Sequence, residues 1–221
     1  MDKENLVEIE DLTWGYPGCP NFIFEKFNFK LDKQDFCFVL GKSGVGKTTL
    51  IKFLVRQLLP PKKMIFYKKE DIARFSNKEI QKYRRKIGVI YQDFKLIDYK
   101  TVQENIEYPM QIIGQKASFI KKKSNEILYK MNLMDKKTFY PPQLSGGEKQ
   151  RVSIARALIT DPEFIIADEP TGNLDKETSR EISDYLVSLN EQGHTILFIT
   201  HDLELMEYVK KQNKKIKSIK I

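Results

Sequence analysis

The segment Gly41-Lys-Ser-Gly-Val-Gly-Lys-Thr48 has the residue types and spacing to hold a chain of phosphates. Its glycines let consecutive backbone N–H groups turn inward, Lys47 has the reach and charge for β and γ phosphates, and the Thr48 hydroxyl can bind Mg²⁺. A second constellation, Phe164-Ile-Ile-Ala-Asp168-Glu169, is an apolar run ending in two acids. There Asp168 would orient a water of the Mg²⁺ shell, and Glu169 would accept a hydrogen bond from an attacking water and polarise it. The third, Leu144-Ser-Gly-Gly-Glu-Lys-Gln150, reads first as a helix N-cap, since Ser-x-x-Glu before an apolar run is a capping box. An exposed helix N-terminus with two glycines and a serine hydroxyl is also an anion site. Two phosphate sites for one nucleotide suggest a sandwich shared between subunits.

Strands and helices must bring these segments to one place. Leu6 to Thr13 alternates, Phe22 to Leu31 carries repeated Phe, and Phe36 to Leu40 is the short apolar run of a buried strand that feeds directly into Gly41. From Lys47 the apolar residues Leu50, Phe53, Leu54 and Leu58 fall at helical spacing, with Pro60-Pro61 as the expected stop. Ile87 to Tyr91 reads as a strand ending at Gln92. Thr101-Val-Gln-Glu104 then opens a helix toward Gly114, and a mostly helical region runs to about Tyr140. Val152, Ala155, Leu158 and Ile159 make the helix after Ser145 amphipathic until Asp161-Pro162. A strand from Phe164 to Ala167, a helix from about Asp175 to Asn190 and a strand from Thr195 to Thr200 complete the alternation, which predicts an α/β fold with a mostly parallel sheet covered on both faces.

A chain of 221 residues allows one good-sized core and is too short for two ordinary nucleotide-binding domains, so a dimer would form from separate chains. No apolar run approaches the roughly 18 residues of a membrane span, and Met1 to Asp11 lacks a basic-then-apolar leader, which predicts a cytoplasmic protein. Cys19 and Cys37 match no metal spacing and read as reduced thiols. The net charge of +8 is spread widely, with clusters at Lys121 to Lys123 and Lys210 to Lys220. No zinc-finger spacing or aromatic stacking platform accompanies the lysines, so no specific nucleic acid is expected. A solvated surface close to a membrane fits the same charge.

Taken in order, Gly41 to Thr48, Gln92, Leu144 to Glu148, Phe164 to Glu169, Asn173-Leu-Asp175 and Thr200-His201-Asp202 resemble the nucleotide-binding subunits of ABC transporters over nearly the whole chain. The resemblance implies a P-loop ATPase of ABC type. Its parallel core would carry an N-terminal antiparallel β lobe (core and β lobe together 1–92 and 161–221) and an inserted helical lobe (about 93–160).

It also implies roles for single residues. Nucleotide would be bound by Gly41, Lys42, Ser43, Gly44, Val45, Gly46, Lys47, Thr48 and Thr49, with Tyr16 stacked on adenine. Ser145, Gly146, Gly147 and Glu148 would cover the ATP held by the other copy of a homodimer. Glu169, His201, Gln92 and Lys47 would serve hydrolysis, Thr48, Gln92 and Asp168 would serve Mg²⁺, and Asp175 would couple the two sites.

Ile87 to Ile97, Thr101 to Asn105 and Ala167 to Asp175 resemble the FtsEX-type cell-division branch. Its ATPase sits at the cytoplasmic face of the membrane and works with an integral partner, FtsX, that docks around Gln92 to Glu107. The lipoprotein-releasing or macrolide-exporter ATPases share Pro170 to Asp175 and are the alternative; a soluble ABC protein acting on nucleic acid is a third. Relatives carry paired glycines after the first helix where Pro60 to Lys69 has none, a departure that concerns the turns of the antiparallel lobe.

Overall fold

The alternation read in the first strand is realised as β1 (Asn5–Trp14), which pairs antiparallel with β2 (Phe24–Asp32). The continuous apolar run becomes β3 (Phe36–Leu40), buried along its whole length. The computed structural model describes residues 4–42, 44–213 and 215–221. After β3 the order is α1 (Lys47–Leu54), β4 (Ile65–Tyr67), β5 (Glu70–Asp71), α2 (Asn77–Arg84), β6 (Ile87–Ile90), α3 (Val102–Ile112), α4 (Ala117–Lys130) and α5 (Gly146–Leu158). The chain closes with β7 (Phe164–Asp168), α6 (Lys176–Glu191), β8 (Thr195–Thr200), α7 (Leu203–Gln212) and β9 (Lys217–Lys220). No described helix is long and apolar enough to cross a membrane.

Two sheets result: β2-β1-β4-β5 is antiparallel, and β6-β7-β8-β3-β9 is parallel throughout. Side chains of a strand alternate between faces, and the parallel sheet sorts its residues accordingly. Phe36, Phe38, Ile165, Ala167, Ile196 and Phe198 face a core shared with α3 to α7, while Cys37, Val39, Phe164, Ile166, Leu197 and Ile199 face one shared with α1 and the antiparallel sheet. Burying each such Phe or Leu contributes roughly 1.5–3 kcal/mol. The consequence for chemistry lies in the order β7-β8-β3. Asp168 stands beside Ile199, and Thr200 beside Leu40, so the loops leaving all three strands share one edge.

Several elements differ from the sequence expectation. α1 ends at Leu54, before Pro60, because Arg56 takes the left-handed conformation (φ 54°) and the Gln57 and Leu58 N–H groups fold back onto the Lys52 carbonyl. α2 lacks an apolar stripe that would announce it in the sequence; it buries only Tyr83 and is held by a Ser76–Glu79 capping box. The basic stretch from Lys210 ends α7 and then forms a strand. Lys217 begins β9 at the edge of the parallel sheet, with Nζ 2.6 Å from Asp35 Oδ2 and 3.1 Å from Asp32 Oδ2.

The missing glycines also have a structural answer. Register Tyr67↔Glu70 leaves Lys68 and Lys69 as a two-residue hairpin loop, and both are left-handed (φ 49° and 67°), as a primed turn demands. The loop is anchored by Glu163, which accepts hydrogen bonds from Tyr67 Oη (2.6 Å) and lies 2.6 Å from Lys68 Nζ and 3.1 Å from Lys86 Nζ. Burial alone would push the Glu163 carboxyl up, but its bonds from Lys68, Tyr67 and Lys86 bring it down to about 2. Because Lys69 has a Cβ in a conformation that suits glycine, Lys69→Gly should stabilise the fold by about 0.5–1 kcal/mol. A urea titration with an unchanged or lower midpoint would contradict that reading of the turn.

Candidate active site

α1 begins without a side-chain cap: Gly46 is its N-cap residue, no acid lies in its first turn, and the Lys47 to Thr49 N–H groups have no intrahelical partner. An uncapped helix N-terminus is electropositive and offers donors to an anion. Gly46 is fixed by geometry as well as by chemistry. It sits at φ 112°, and a Cβ there would come within 2.5 Å of Ile23 Cγ2 and 3.2 Å of Phe24 Cζ. Gly41, Lys42, Gly44 and Val45 lead into this turn, Thr48 is exposed on it, and Thr49 is buried behind it; Ser43 lies outside the described residues. Tyr16 reaches the same helix end, its Oη 3.1 Å from Thr49 Oγ1 and its ring edge-on to Trp14 at 4.6 Å. Tyr16 as a whole keeps 37% exposure.

Lys47, although buried, does not wait free for phosphate. Its Nζ donates to the carbonyls of Gly41 (2.6 Å) and Lys42 (3.2 Å) and lies 3.2 Å from Glu169 Oε1. Glu169 is 8% exposed and left-handed (φ 44°), a conformation that costs a non-glycine residue about 1–3 kcal/mol and persists only where its surroundings impose it. Here its N–H donates to the Ile199 carbonyl and its own carbonyl accepts from Gly172 N–H. Its carboxylate meets His201 Nδ1 at 2.8 Å on Oε1 and the Thr200 hydroxyl at 3.1 Å on Oε2.

The adjacent acids are driven apart. Burial pushes the Asp168 carboxyl up to about 6, helped by the neighbouring Glu169 charge and by Asp93 and opposed by Lys47. Burial also raises Glu169, but the His201 and Lys47 hydrogen bonds and charges outweigh it and hold the group below the usual carboxylate range. Asp168 therefore carries a desolvated negative charge that a cation would relieve. Among the described residues no group of three or more His, Cys, Asp and Glu could hold a metal ion. Such a donor set fits Mg²⁺, which is held by one or two carboxylates together with water and substrate phosphates, and not a metal that needs an all-protein cage.

Gln92 follows β6 and is exposed; its carbonyl accepts from Asn173 Nδ2 at 3.0 Å. The next residues are gripped by α5, where Arg156 donates to the carbonyls of Phe94 (2.7 Å) and Lys95 (2.6 Å). In the sequence Arg156 is one more polar residue on an amphipathic helix, and nothing local marks this role. At the other end of α5, Ser145 forms the expected capping box with Glu148, and Ser145 Oγ accepts from Glu148 N–H while keeping its own proton to donate.

Gly147 permits a close approach to α6, since a Cβ there would lie 2.9 Å from Thr178 Cγ2. Thr178 in turn donates through N–H and Oγ1 to Asp175, the cap of α6. Two helix N-termini thus meet at Gly147. Among the described residues no hydrogen bond or ion pair joins Ser145–Glu148 to Gly41–Thr48. A groove of about 820 Å³ is lined by Glu169, Thr200, His201, Lys176 and Arg180, and no described residue of the phosphate loop lines it. Within one chain, among the described residues, Ser145–Glu148 therefore make no bond to the loop.

Comparison with known proteins follows the same lines. Residues 24–172 match the ABC transporter family. The chain is 41% identical to the cell division ATP-binding protein FtsE of Bacillus subtilis over 94% of its own length and 90% of that protein. It is also 41% identical to MJ1508, an ABC transporter ATP-binding protein of Methanocaldococcus jannaschii, over 96% and 93% of the two chains. A solved dimer of the cassette MJ0796, bound to ADP and Pi after hydrolysis, superposes with a TM-score of 0.80 at 31% identity, covering 90% of each chain.

The raised Asp168 gives a signed expectation. Between about pH 4 and about pH 6 the folded chain keeps a proton that the unfolded chain has lost, so Asp168 costs stability increasingly as pH rises through that window. In the absence of nucleotide and metal, Asp168→Asn should be more stable than the parent near pH 7.5, by on the order of 1–2 kcal/mol after solvent screening. That gain should vanish near pH 4. Paired denaturation curves at the two pH values check it, and an equal gain at both would refute the assigned cause.

Proposed function

We propose, from the premise that this chain belongs to the ABC transporter family of ATP-binding proteins and is an ATPase of that type, that it is the ATPase subunit of an FtsEX-type complex in bacterial cell division. In this reading two copies close on ATP as a homodimer at the cytoplasmic face of the cell membrane. The motion passes to an integral partner resembling FtsX that controls cell-wall hydrolysis. The observation that carries the assignment is the 41% identity to the Bacillus subtilis FtsE across nearly both whole chains. Asp93-Phe94 directly after Gln92 supports the same branch.

Each part of the site has a task in this scheme. Phosphates settle on the α1 N-terminus and Gly41–Thr49, and Tyr16 stacks on adenine. Thr48, Asp168 through a water, and Gln92 would hold Mg²⁺, which would neutralise charge on the phosphates. Lys47 leaves the Gly41 and Lys42 carbonyls and Glu169 for the β and γ oxygens. Glu169, released on Oε1, accepts a hydrogen bond from the attacking water, and His201 turns to the γ-phosphate. The loop is covered by Ser145, Gly146, Gly147 and Glu148 of the second copy, so that hydrolysis switches on with closure. Residues 1–92 and 161–221 act as the nucleotide core with its β lobe. The segment of about 93–160 is the lobe that moves, with Arg156 linking the signature helix to the loop after Gln92.

Glu169→Gln should bind ATP, lose turnover by about 10²–10⁴-fold and accumulate a Mg-ATP dimer on size-exclusion chromatography. Undiminished turnover would remove Glu169 as the base. Ser145→Arg should leave ATP binding by the monomer intact and abolish that dimer in the Glu169→Gln background, because a cation and its bulk then fill the opposing phosphate site; a surviving dimer would overturn the sandwich. The biological assignment is tested by capturing tagged Glu169→Gln protein with Mg-ATP from detergent-solubilised host membranes. An FtsX-like protein in the eluate is the expected outcome. A lipoprotein-release or exporter permease instead would keep the ATPase and overturn the division role.

A further inference from the structure

Among the described residues Glu169 has three side-chain partners, and two of them are needed elsewhere once ATP is bound. Lys47 and His201 both approach Oε1, and both have phosphate oxygens to serve in the scheme above. The third partner, Thr200, approaches the other oxygen, Oε2, at 3.1 Å. We infer that Thr200 is a positioning residue for ATP hydrolysis, its hydroxyl holding Oε2 so that Oε1 is presented to the attacking water. This rests on Glu169 being the base.

The direction of that hydrogen bond is set by the surrounding backbone. Asp202 N–H donates to Thr200 Oγ1 at 3.0 Å, which occupies a hydroxyl lone pair and leaves the single hydroxyl proton for Glu169. Thr200 itself has no freedom to drift. It is 1% exposed, ends β8, and is paired with Leu40 of β3, the residue that leads into the phosphate loop. Glu169 is pinned from the backbone side by the Ile199 carbonyl and Gly172 N–H. With the main chain fixed at one end and Oε2 at the other, the carboxylate keeps its plane when Lys47 and His201 move away. Neither the lysine nor the histidine can do this, because each must follow the phosphate.

Thr200→Val keeps the β-branched shape and the buried methyl while removing the hydroxyl, and Thr200→Ser keeps the hydroxyl while removing the methyl. Steady-state Mg-ATP hydrolysis by the full-length purified proteins is the measurement. Thr200→Val should lower kcat by about 10–100-fold with KM within about threefold of the parent, the scale of a misplaced catalytic group. Thr200→Ser should recover turnover to within about threefold. In the Glu169→Gln background Thr200→Val should add no further loss, since the group it positions is already gone.

Thr200→Val turning over at the parental rate while Glu169→Gln is inactive would overturn the inference and leave the base assignment standing. A fully active Glu169→Gln would instead remove the base assignment. A merely structural role, through packing or the Asp202 N–H left without an acceptor, predicts a different pattern. Thr200→Val would then melt lower, raise KM and lose activity additively with Glu169→Gln, and that result also overturns the inference.

Discussion

The side-by-side register of β7, β8 and β3 is the constraint on which the site depends. Parallel pairing forces the carboxyl ends of these strands to one edge, and each strand releases a different chemical group there. β3 delivers the phosphate loop and the bare N-terminus of α1. β7 delivers Asp168 and Glu169, and β8 delivers Thr200 and His201. A slip of one residue would turn every side chain of a strand to the opposite face, which would bury Phe198 or Ile199 against the wrong core. The two apolar layers that stabilise the sheet are thus the same features that fix the geometry of the acids and the lysine.

Within that frame the charges balance internally. Lys47 is satisfied by two carbonyls of its own loop and by Glu169, and Glu169 by Lys47, His201 and Thr200. Asp168 is left as the desolvated charge, with its carboxyl raised. In the proposed scheme phosphate entering beside α1 takes Lys47 from the Gly41 and Lys42 carbonyls and Glu169, so the buried lysine exchanges one set of polar contacts for another. The strained φ of Glu169 belongs to the same design, because it points a carboxylate back across the strand ends, where a relaxed extended residue would carry it onward with the chain.

The helical region also reaches this edge. Arg156 grips the loop after Gln92, and Asn173 holds the Gln92 carbonyl. Gly147 lets the start of α5 lie against the start of α6. A shift of α5 would consequently be felt at both Gln92 and Asp175, the two loops bordering the acids. In the proposed homodimer the second copy would meet the α5 N-terminus and supply the cause of such a shift.

The features legible in the residue order are local: glycines that permit the phosphate loop, Ser145 and Glu148 three residues apart as a capping box, and apolar runs of strand length around β3, β7 and β8. These follow from physics acting within a few residues, so they are legible in order along the chain. The end of α1 at Arg56, the left-handed Lys68-Lys69 turn and the polar helix α2 were hidden, because there the tertiary frame overrode ordinary breaker and periodicity signals. β9, Arg156 and Thr200 were hidden for a different reason. Each gains its role from a partner far off in sequence, Lys217 from Asp32 and Asp35, Arg156 from Phe94 and Lys95, Thr200 from Glu169. Strand order and helix docking decide those partnerships, and neither leaves a periodic trace in the residues themselves; only the folded sheet could turn a threonine at the end of an apolar strand into a hand on the Glu169 carboxylate.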